Sequence, residues 1–228
     1  MRSRDELAAD YAAFQARGRR ALLDGEATHD LPFTEGGPRW GMTTILRPTG
    51  PALDHLESLA RAAGAAAGPG QWTHDRGVLH FTLRSLEPYR RVIPAADPAL
   101  LTYAAALRSA ARGLPPVRMR IEGVSPHAGG VLAFGYPEDD TIWTLQRRYA
   151  EALGARGAFE SWSRERWYIS LVHFAAPLAD PKTVVTWCDD HAGEAPGITE
   201  IPAADLAHAS ITGPRVRLTT LKQVILDR

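Results

Sequence analysis

The chain has little of the chemistry that marks a disulfide-stabilised protein or a metalloprotein. Its single cysteine, Cys188, excludes an internal disulfide and a cysteine-rich metal site. No His-x-x-x-His motif or carboxylate–histidine cluster has the spacing of metal ligands. The sequence also has no glycine-rich phosphate loop and no nucleophile elbow centred on serine. We therefore expect neither a metal nor a cofactor.

An excess of positive charge is also missing. The chain has 26 basic and 26 acidic side chains and a formal net charge of zero. Binding of long nucleic acid normally needs a basic surface, so we expect a small molecule or a short nucleotide as the partner. No apolar run has membrane-spanning length, and the charged N-terminus is unlike a secretory signal. Together with the lack of disulfides, these features predict a cytoplasmic protein without a membrane partner.

The most informative stretch of the sequence is His80-Phe81-Thr82, within the run Val78 to Arg84. Alternating apolar residues predict a β-strand, and the strand period of two places His80, Thr82 and Arg84 on one face. An imidazole and a hydroxyl that point at the same small volume suit a reaction at a phosphoryl or carbonyl centre. The polar face of a half-exposed strand would show the same pattern.

A second strand in the other half of the chain carries a similar pair. Tyr168 and Ser170 share one face of the predicted strand Trp167 to Val172. Each motif strand follows a strand and a helix, and the separation from Thr44 to His80 matches that from Ala133 to Tyr168 within one residue. The predicted preceding elements are the strands Trp40–Leu46 and Gly130–Tyr136 and the helices Ala52–Ala63 and Thr141–Leu153. The repeat suggests two quasi-equivalent halves that face each other across one cleft.

Mixed strands and helices predict an α+β fold, in which duplicated strand–helix–strand units form two antiparallel sheets around a central cleft. With 228 residues, 45% of them hydrophobic, the chain can bury a full core. Ser3 and Glu6 form a predicted capping box at the start of a helix, and a Gly/Pro-containing linker follows near Thr34. We therefore predict a helical arm and linker over residues 1–37, separable from the chemistry, and a main domain over residues 38–228.

On these residues the chain resembles the 2H phosphoesterase superfamily, which includes LigT-like RNA ligases and cyclic nucleotide phosphodiesterases. Such proteins carry two His-x-Thr/Ser motifs on facing strands of a duplicated domain. His80-Phe81-Thr82-Leu83 matches the first motif, and the segment from Tyr168 to Phe174 is similar to the second, His-x-Thr-Leu-x-Arg-Phe. The resemblance extends from about Arg39 to the C-terminus. Tyr168 stands where the second histidine belongs, and His173 stands where arginine is frequent.

The resemblance implies a metal-independent phosphoesterase that acts on a small phosphodiester or a 2′,3′-cyclic nucleotide. His80 would be the main acid–base group, Thr82 and Ser170 would hold phosphoryl oxygens, and Tyr168 would be an orienting donor, because a phenol with a pKa of about 10 is a poor base. Two alternatives stay open. The cleft could catalyse elimination or isomerisation of a small metabolite with one base, or it could belong to a ligand-binding pseudoenzyme.

Four further residues have expected positions. Arg84 could bind an anion on the His80 face or form an outward salt bridge. Trp40 and Tyr136 could stack on a nucleobase, and core packing is the alternative for both. His173 has the opposite parity to Tyr168, so on a regular strand it would face away from the cleft.

Overall fold

The computed structural model describes residues 2–213 and 215–226. Within these ranges it contains five α-helices, α1 Arg4–Leu23, α2 Gly50–Ala67, α3 Pro98–Ala111, α4 Thr141–Leu153 and α5 Pro181–Asp190, and a 3-10 helix, Gly154–Glu160. The strands are β1 Thr43–Leu46, β2 Trp72–Thr73, β3 Phe81–Ser85, β4 Val117–His127, β5 Gly130–Pro137, β6 Trp167–His173, β7 Gly197–Ile201, β8 Ala203–Thr212 and β9 Arg215–Ile225. None of the helices described has both the length and the apolar character needed to cross a bilayer.

The strands form two four-stranded antiparallel halves that meet in the middle of one continuous sheet. The order is β7-β4-β5-β6-β3-β1-β8-β9, and the short β2 pairs with β6 outside this path. The halves are joined where β3 and β6 pair at Phe81 and Ile169. The sheet curls into a half-barrel, which confirms the predicted α+β class with its duplicated units and antiparallel halves.

The predicted repeat is present as β1–α2–β3 and β5–α4–β6, and the two strands of each unit pair with each other. The first strand is shorter than predicted, because it begins at Thr43 instead of Trp40. Trp40 has a positive φ of 66°, and a Cβ atom at Gly41 would lie 1.8 Å from the Glu87 carbonyl oxygen. The chain therefore turns here and cannot continue as a strand. His80 lies immediately before β3, which begins at Phe81.

The main hydrophobic core lies between the sheet and helices α2 to α5. From the two central strands it takes Phe81, Leu83, Ile169 and Leu171, all fully buried. Thr82, Tyr168 and Ser170, which alternate with these residues, point to the other face of the sheet. The core therefore fixes which face of the central strands is available for a site.

Helix α1 packs on the face of the sheet that carries Tyr168. Its capping box is present, since Ser3 and Glu6 bond each other as predicted. Tyr11 is 1% exposed and stacks on Phe134, which pairs with Tyr168 on the neighbouring strand. The Tyr11 hydroxyl lies 2.8 Å from the Gly135 carbonyl oxygen and accepts from the Trp167 N–H. The domain boundary at residue 37 stays a prediction, but these contacts cross it and bind the segment to the sheet.

Candidate active site

The structure brings His80, Thr82, Tyr168 and Ser170 together at one cavity of about 230 Å³. The register of β3 and β6 explains why they meet. Because Phe81 pairs with Ile169 in an antiparallel ladder, His80 lies across from Ser170 and Thr82 lies across from Tyr168. The polar pairs of the two repeats thus form one patch at the junction between the halves of the sheet.

His80 is held as a neutral imidazole with a defined tautomer. Its Nδ1 atom lies 2.5 Å from the Val78 carbonyl oxygen, which only accepts, so Nδ1 carries the proton. The Nε2 atom lies 3.2 Å from the Thr82 hydroxyl and accepts a hydrogen bond from it. Burial lowers the pKa of His80 to about 4, against the opposing effect of the bond to Val78. His80 therefore presents an unprotonated nitrogen at neutral pH, as a general base requires.

A β-bulge in β3 turns Arg84 away from the face of His80, on which the sequence pattern had placed it. Thr82 pairs with Ile45 while Arg84 pairs with the neighbouring Thr44, so Leu83 is an extra residue and the alternation shifts by one. Arg84 is consequently turned into the protein, where its guanidinium donates to the carbonyls of Gly157, at 2.8 Å, and Glu160. This side chain therefore holds the 3-10 helix Gly154–Glu160 against β3 and is absent from the cavity lining.

The same bulge brings Ser85 onto the cavity face, where it and its partner Thr43 line the site. The Ser85 N–H donates to the carboxylate of the buried Glu160 at 3.1 Å. The end of β3 is thus fixed by the polar groups that also hold Arg84.

A second bulge, in β6, reverses the orientation expected for His173. Leu132 pairs with Ser170, and the residue before it, Val131, pairs with Val172. Leu171 is therefore the extra residue. The shift places His173 on the face of Ser170 and in the cavity lining. The site therefore contains a second histidine, three residues after Ser170, at the motif position where arginine is frequent.

Residues next to β2 hold this second bulge in place. The His74 N–H donates to the carbonyl of Leu171 at 2.9 Å, and its Nδ1 lies 2.9 Å from the carbonyl of Ser170. Trp72 pairs with His173 itself. His74 thus provides hydrogen-bond partners for the carbonyls of both Ser170 and Leu171, and these bonds stabilise the bulge.

His173 has an acidic neighbour from the N-terminal segment. Its Nδ1 atom lies 2.8 Å from Oδ2 of Asp30, whose side chain is 4% exposed. Burial lowers the pKa of His173 to about 3, and the charge of Arg39 and any positive charge on His80 act in the same direction. The Asp30 carboxylate acts in the opposite direction, because a negative charge favours the protonated ring. The Nε2 atom is the one left to exchange protons in the cavity.

Two arginines add positive charge to the cavity lining, and each is paired with a buried carboxylate. Arg39 forms an ion pair with Asp30. Arg164 lies 2.5 Å from the carboxylate of Glu160, and their side chains are 18% and 2% exposed. The main chain of Arg164 is bonded in both directions to the Gln146 amide, at 2.8 and 3.1 Å. These arginines are therefore held at the site before any ligand arrives.

The two predicted stacking residues have different positions. Trp40 lines the cavity, where its ring meets His173 edge to face at 5.0 Å and stacks on Phe33. Tyr136 lies away from the cavity beneath α1, with its ring against Tyr11 and below the Arg4 guanidinium at 4.7 Å. Helix α1 covers that part of the face, so Tyr136 is not among the residues that line the cavity.

Most residues missed from the sequence depend on the two bulges or on long-range contacts. One signal was present: His80-Phe-Thr-Leu-Arg-Ser85 and Tyr168-Ile-Ser-Leu-Val-His173 both place leucine directly after the hydroxyl residue. A shared extra residue at that leucine moves Ser85 and His173 onto the cavity face together. Asp30, Arg39 and Arg164 show no comparable local signal.

The arrangement supplies the groups that acid–base chemistry at a phosphoryl centre needs. It has two imidazoles, several hydroxyl donors and two guanidinium groups, and no acidic residue is among the described residues that line it. No cluster of three or more potential metal ligands occurs within residues 2–213 and 215–226.

Comparison with known proteins identifies the fold. The Thermus thermophilus protein TT0787 is 17% identical over 81% of this chain and 97% of that one, with a TM-score of 0.57. Escherichia coli LigT bound to 3′-AMP is 14% identical over 83% of this chain and 99% of that one, with a TM-score of 0.54. The chain has the fold of LigT. A further neighbour described as a phosphoesterase is 16% identical over 82% and 98% of the two chains, with a TM-score of 0.52.

Likeness to LigT lies in the structure more than in the sequence. No protein-family model matches the chain, and no curated protein matches it in sequence. LigT itself has also been crystallised with phosphate, ATP and NADP⁺. The LigT-like fold confirms the predicted architecture, and the chemistry has to be argued from this chain's own cavity.

Proposed function

We propose that the protein is a phosphoesterase that hydrolyses a small phosphodiester of the 2′,3′-cyclic phosphate type without a metal. The observation that carries this proposal is the meeting of His80 and His173 at one cavity, beside the hydroxyls of Thr82 and Ser170. Two imidazoles can provide the base and the acid that the reaction needs. The LigT-like fold and the phosphate-containing ligands of LigT support the same class of substrate.

The local geometry suggests a role for each imidazole. His80 takes the proton from a water molecule through Nε2, which its bond to Val78 leaves unprotonated. The water oxygen attacks phosphorus, the bond to one ribose oxygen breaks, and His173 gives its Nε2 proton to that oxygen. The negative charge of the bound phosphodiester and the neighbouring Asp30 both favour the protonated form of His173.

Hydroxyl and guanidinium groups would hold the phosphoryl oxygens during this reaction. Ser170 lies across from His80 on the paired strand and can donate a hydrogen bond to a phosphoryl oxygen. Thr82 can do the same when its hydroxyl turns from His80 Nε2 to the substrate, which also frees that nitrogen to act as the base. Tyr168 adds a phenolic donor at the exposed side of the cavity. Arg39 and Arg164 complete the set, and charge-assisted bonds from guanidinium are well suited to phosphoryl oxygens.

The charge balance of the cavity favours a phosphodiester over a phosphomonoester. Arg39 and Arg164 are already paired with Asp30 and Glu160, and His80 is neutral. A diester carries one negative charge, whereas a monoester carries nearly two at neutral pH. The second charge would meet no unpaired cation, so we expect the monoester product to bind weakly and to leave.

A ³¹P NMR assay in the presence of EDTA tests the proposed function. We expect 2′,3′-cyclic AMP to be converted to a phosphomonoester. We expect 3′,5′-cyclic AMP to be a poor substrate, because its cyclic phosphate places the leaving ribose oxygen differently relative to phosphorus. His80→Ala should reduce the rate by about 10²–10⁴-fold. His55→Ala is the matched control, because His55 lies partly exposed on α2 and pairs with Glu194 away from the cavity. Binding of the cyclic nucleotide without turnover would instead indicate a ligand-binding protein.

A further inference from the structure

Asp30 is a buried carboxylate that the motifs do not explain. Its segment is fastened to the sheet, since the Asp30 N–H donates to the Phe174 carbonyl at 2.7 Å and the Thr28 N–H donates to the Ala128 carbonyl at 2.8 Å. The anchoring residue Phe174 directly follows β6, which carries His173. Asp30 is therefore placed by the backbone of the strand whose histidine it meets.

The two oxygens of Asp30 have different partners. Oδ1 pairs with Arg39, whose own side chain is 59% exposed. Oδ2 is buried and, within the described part of the chain, makes no regular hydrogen bond, although His173 Nδ1 lies 2.8 Å away. A buried carboxylate oxygen is costly without a donor, and the nearby Nδ1–H is the donor that can supply one.

This contact determines which nitrogen of His173 faces the cavity. If Nδ1 carries a proton toward Asp30, the exchangeable position is Nε2. The charged and titratable groups that face His173 are Asp30 and Arg39 from the N-terminal segment, His74 beside β2, His127 at the end of β4 and His80 before β3. Asp30 is the one acidic group among them, so it alone favours the imidazolium form.

We propose that Asp30 is a positioning residue, which sets the tautomer of His173 and stabilises its protonated ring so that Nε2 can deliver a proton in the cavity. The inference rests on the proposed function, in which His173 is the acid. It makes residues 28–40 part of the active site, because Asp30, Arg39 and Trp40 all come from this segment.

The variant Asp30→Asn tests this role by two readouts. In ¹⁵N-resolved imidazole spectra we expect the Nδ1–H tautomer of His173 in the native protein and a shift toward Nε2–H in the variant, because an amide can donate to Nδ1. The rate of cyclic phosphodiester hydrolysis should fall by about 10²–10⁴-fold in kcat, with a smaller change in KM. The alkaline limb of the pH–rate profile should move to lower pH, because His173 loses its proton more readily.

Matched variants separate positioning from folding and from binding. Arg39→Gln removes the other partner of Asp30 and should raise KM more than it lowers kcat. Asp54→Asn changes an exposed aspartate that pairs with Arg76 on the surface and should alter neither readout. Adding Asp30→Asn to His173→Gln should cause no further loss of rate, because Asp30 is proposed to act through His173.

The outcomes distinguish this inference from the proposed function. An unchanged His173 tautomer and an unchanged kcat in Asp30→Asn would overturn the role of Asp30 while the phosphoesterase stands. A tautomer shift in a protein without any turnover would support the Asp30–His173 contact and contradict the phosphoesterase. A further loss of rate when Asp30→Asn is added to His173→Gln would show that Asp30 acts by another route.

Discussion

The two motif strands have the same backbone and different chemistry. In β3 and in β6 a polar residue, a hydroxyl two positions later and a residue five positions later line the cavity, and a bulge at leucine separates the second from the third. In β3 the imidazole is at the first position, His80. In β6 it is at the last, His173, and Tyr168 occupies the first. The duplicated frame therefore provides equivalent positions and does not require equivalent side chains.

The supports behind the two strands also differ. The bulge of β3 is held by two contacts with the 3-10 helix that follows α4. Arg84 donates to the Gly157 carbonyl, and the Ser85 N–H donates to the Glu160 carboxylate. The bulge of β6 is held by His74 beside β2 and faces Asp30 from the N-terminal segment. The position of His173 thus depends on parts of the chain that have no counterpart in the repeat.

The largest effect on the hydrolysis rate is expected when the imidazole is removed from position 173 and placed at position 168. His173→Gln should lower the rate of cyclic phosphodiester hydrolysis by about 10²–10⁴-fold, because the acid is lost. Adding Tyr168→His should restore part of that rate, because position 168 is equivalent to His80 in the repeat. Initial rates measured by ³¹P NMR on the two variants compare the two positions directly.

Tyr168→Phe is the control for this comparison, and we expect it to retain most of the activity because only one hydrogen-bond donor is removed. A full loss of activity in Tyr168→Phe, together with an unaffected His173→Gln, would assign the second proton transfer to the phenol.

The packing of α1 on one half of the sheet can be broken at Tyr11. Tyr11→Ala should destabilise the protein by about 3–5 kcal/mol, because it removes a buried ring and leaves a cavity against Phe134. Urea unfolding measures the loss.

Deletion of residues 1–37 should cost both stability and activity, since Asp30 is lost together with α1. A truncated protein that folds and turns over substrate normally would restore the view of a separable arm.

Arg84 and Arg164 differ in role, because Arg84 bonds main-chain carbonyls outside the cavity and Arg164 lines the cavity. Arg84→Met should cost about 1–3 kcal/mol of stability, because the carbonyls of Gly157 and Glu160 lose their donor. Its affinity for inorganic phosphate should be unchanged in the folded protein. Arg164→Met should instead weaken phosphate binding, since Arg164 lines the cavity. Calorimetric titration of both variants tests the contrast, and weaker phosphate binding in Arg84→Met would contradict it.

The buried histidines predict a gradual loss of stability in mild acid. Burial lowers the pKa of His80 to about 4 and the pKa values of His127 and His173 to about 3, and it lowers the pKa of His74 as well. Between pH 6.5 and 4 the unfolded chain binds protons that the folded protein does not. Stability is therefore full above pH 6.5 and falls toward pH 4, by about 1.4 kcal/mol per pH unit for each such histidine.

Unfolding by urea at a series of pH values measures this slope. His74→Gln should make it shallower by the share of one histidine. A stability that does not change between pH 6.5 and 4 would mean that these rings are not held neutral.

The sequence predicts the architecture better than it predicts the site. Apolar periodicity and turn signals are local, so the repeat, the capping box at Ser3 and the elements around both motifs follow from it. A bulge depends on partners elsewhere, such as His74 for the strand of His173, so parity fails beyond Leu83 and Leu171. Arg84 and His173 were assigned to the wrong faces for this one reason. Asp30 reaches the site through tertiary contacts that no local pattern contains.

The most direct test of the account is whether His80 and His173 meet the same anion. Titration of the native protein with inorganic phosphate, followed by ¹⁵N-resolved imidazole spectra, reports on each histidine separately. We predict that the signals of His80 and His173 shift together with one dissociation constant, while the signal of His55, which does not line the cavity, stays constant. A shift of His80 alone, with His173 unaffected, would contradict the central claim that both imidazoles serve one phosphate-binding cavity.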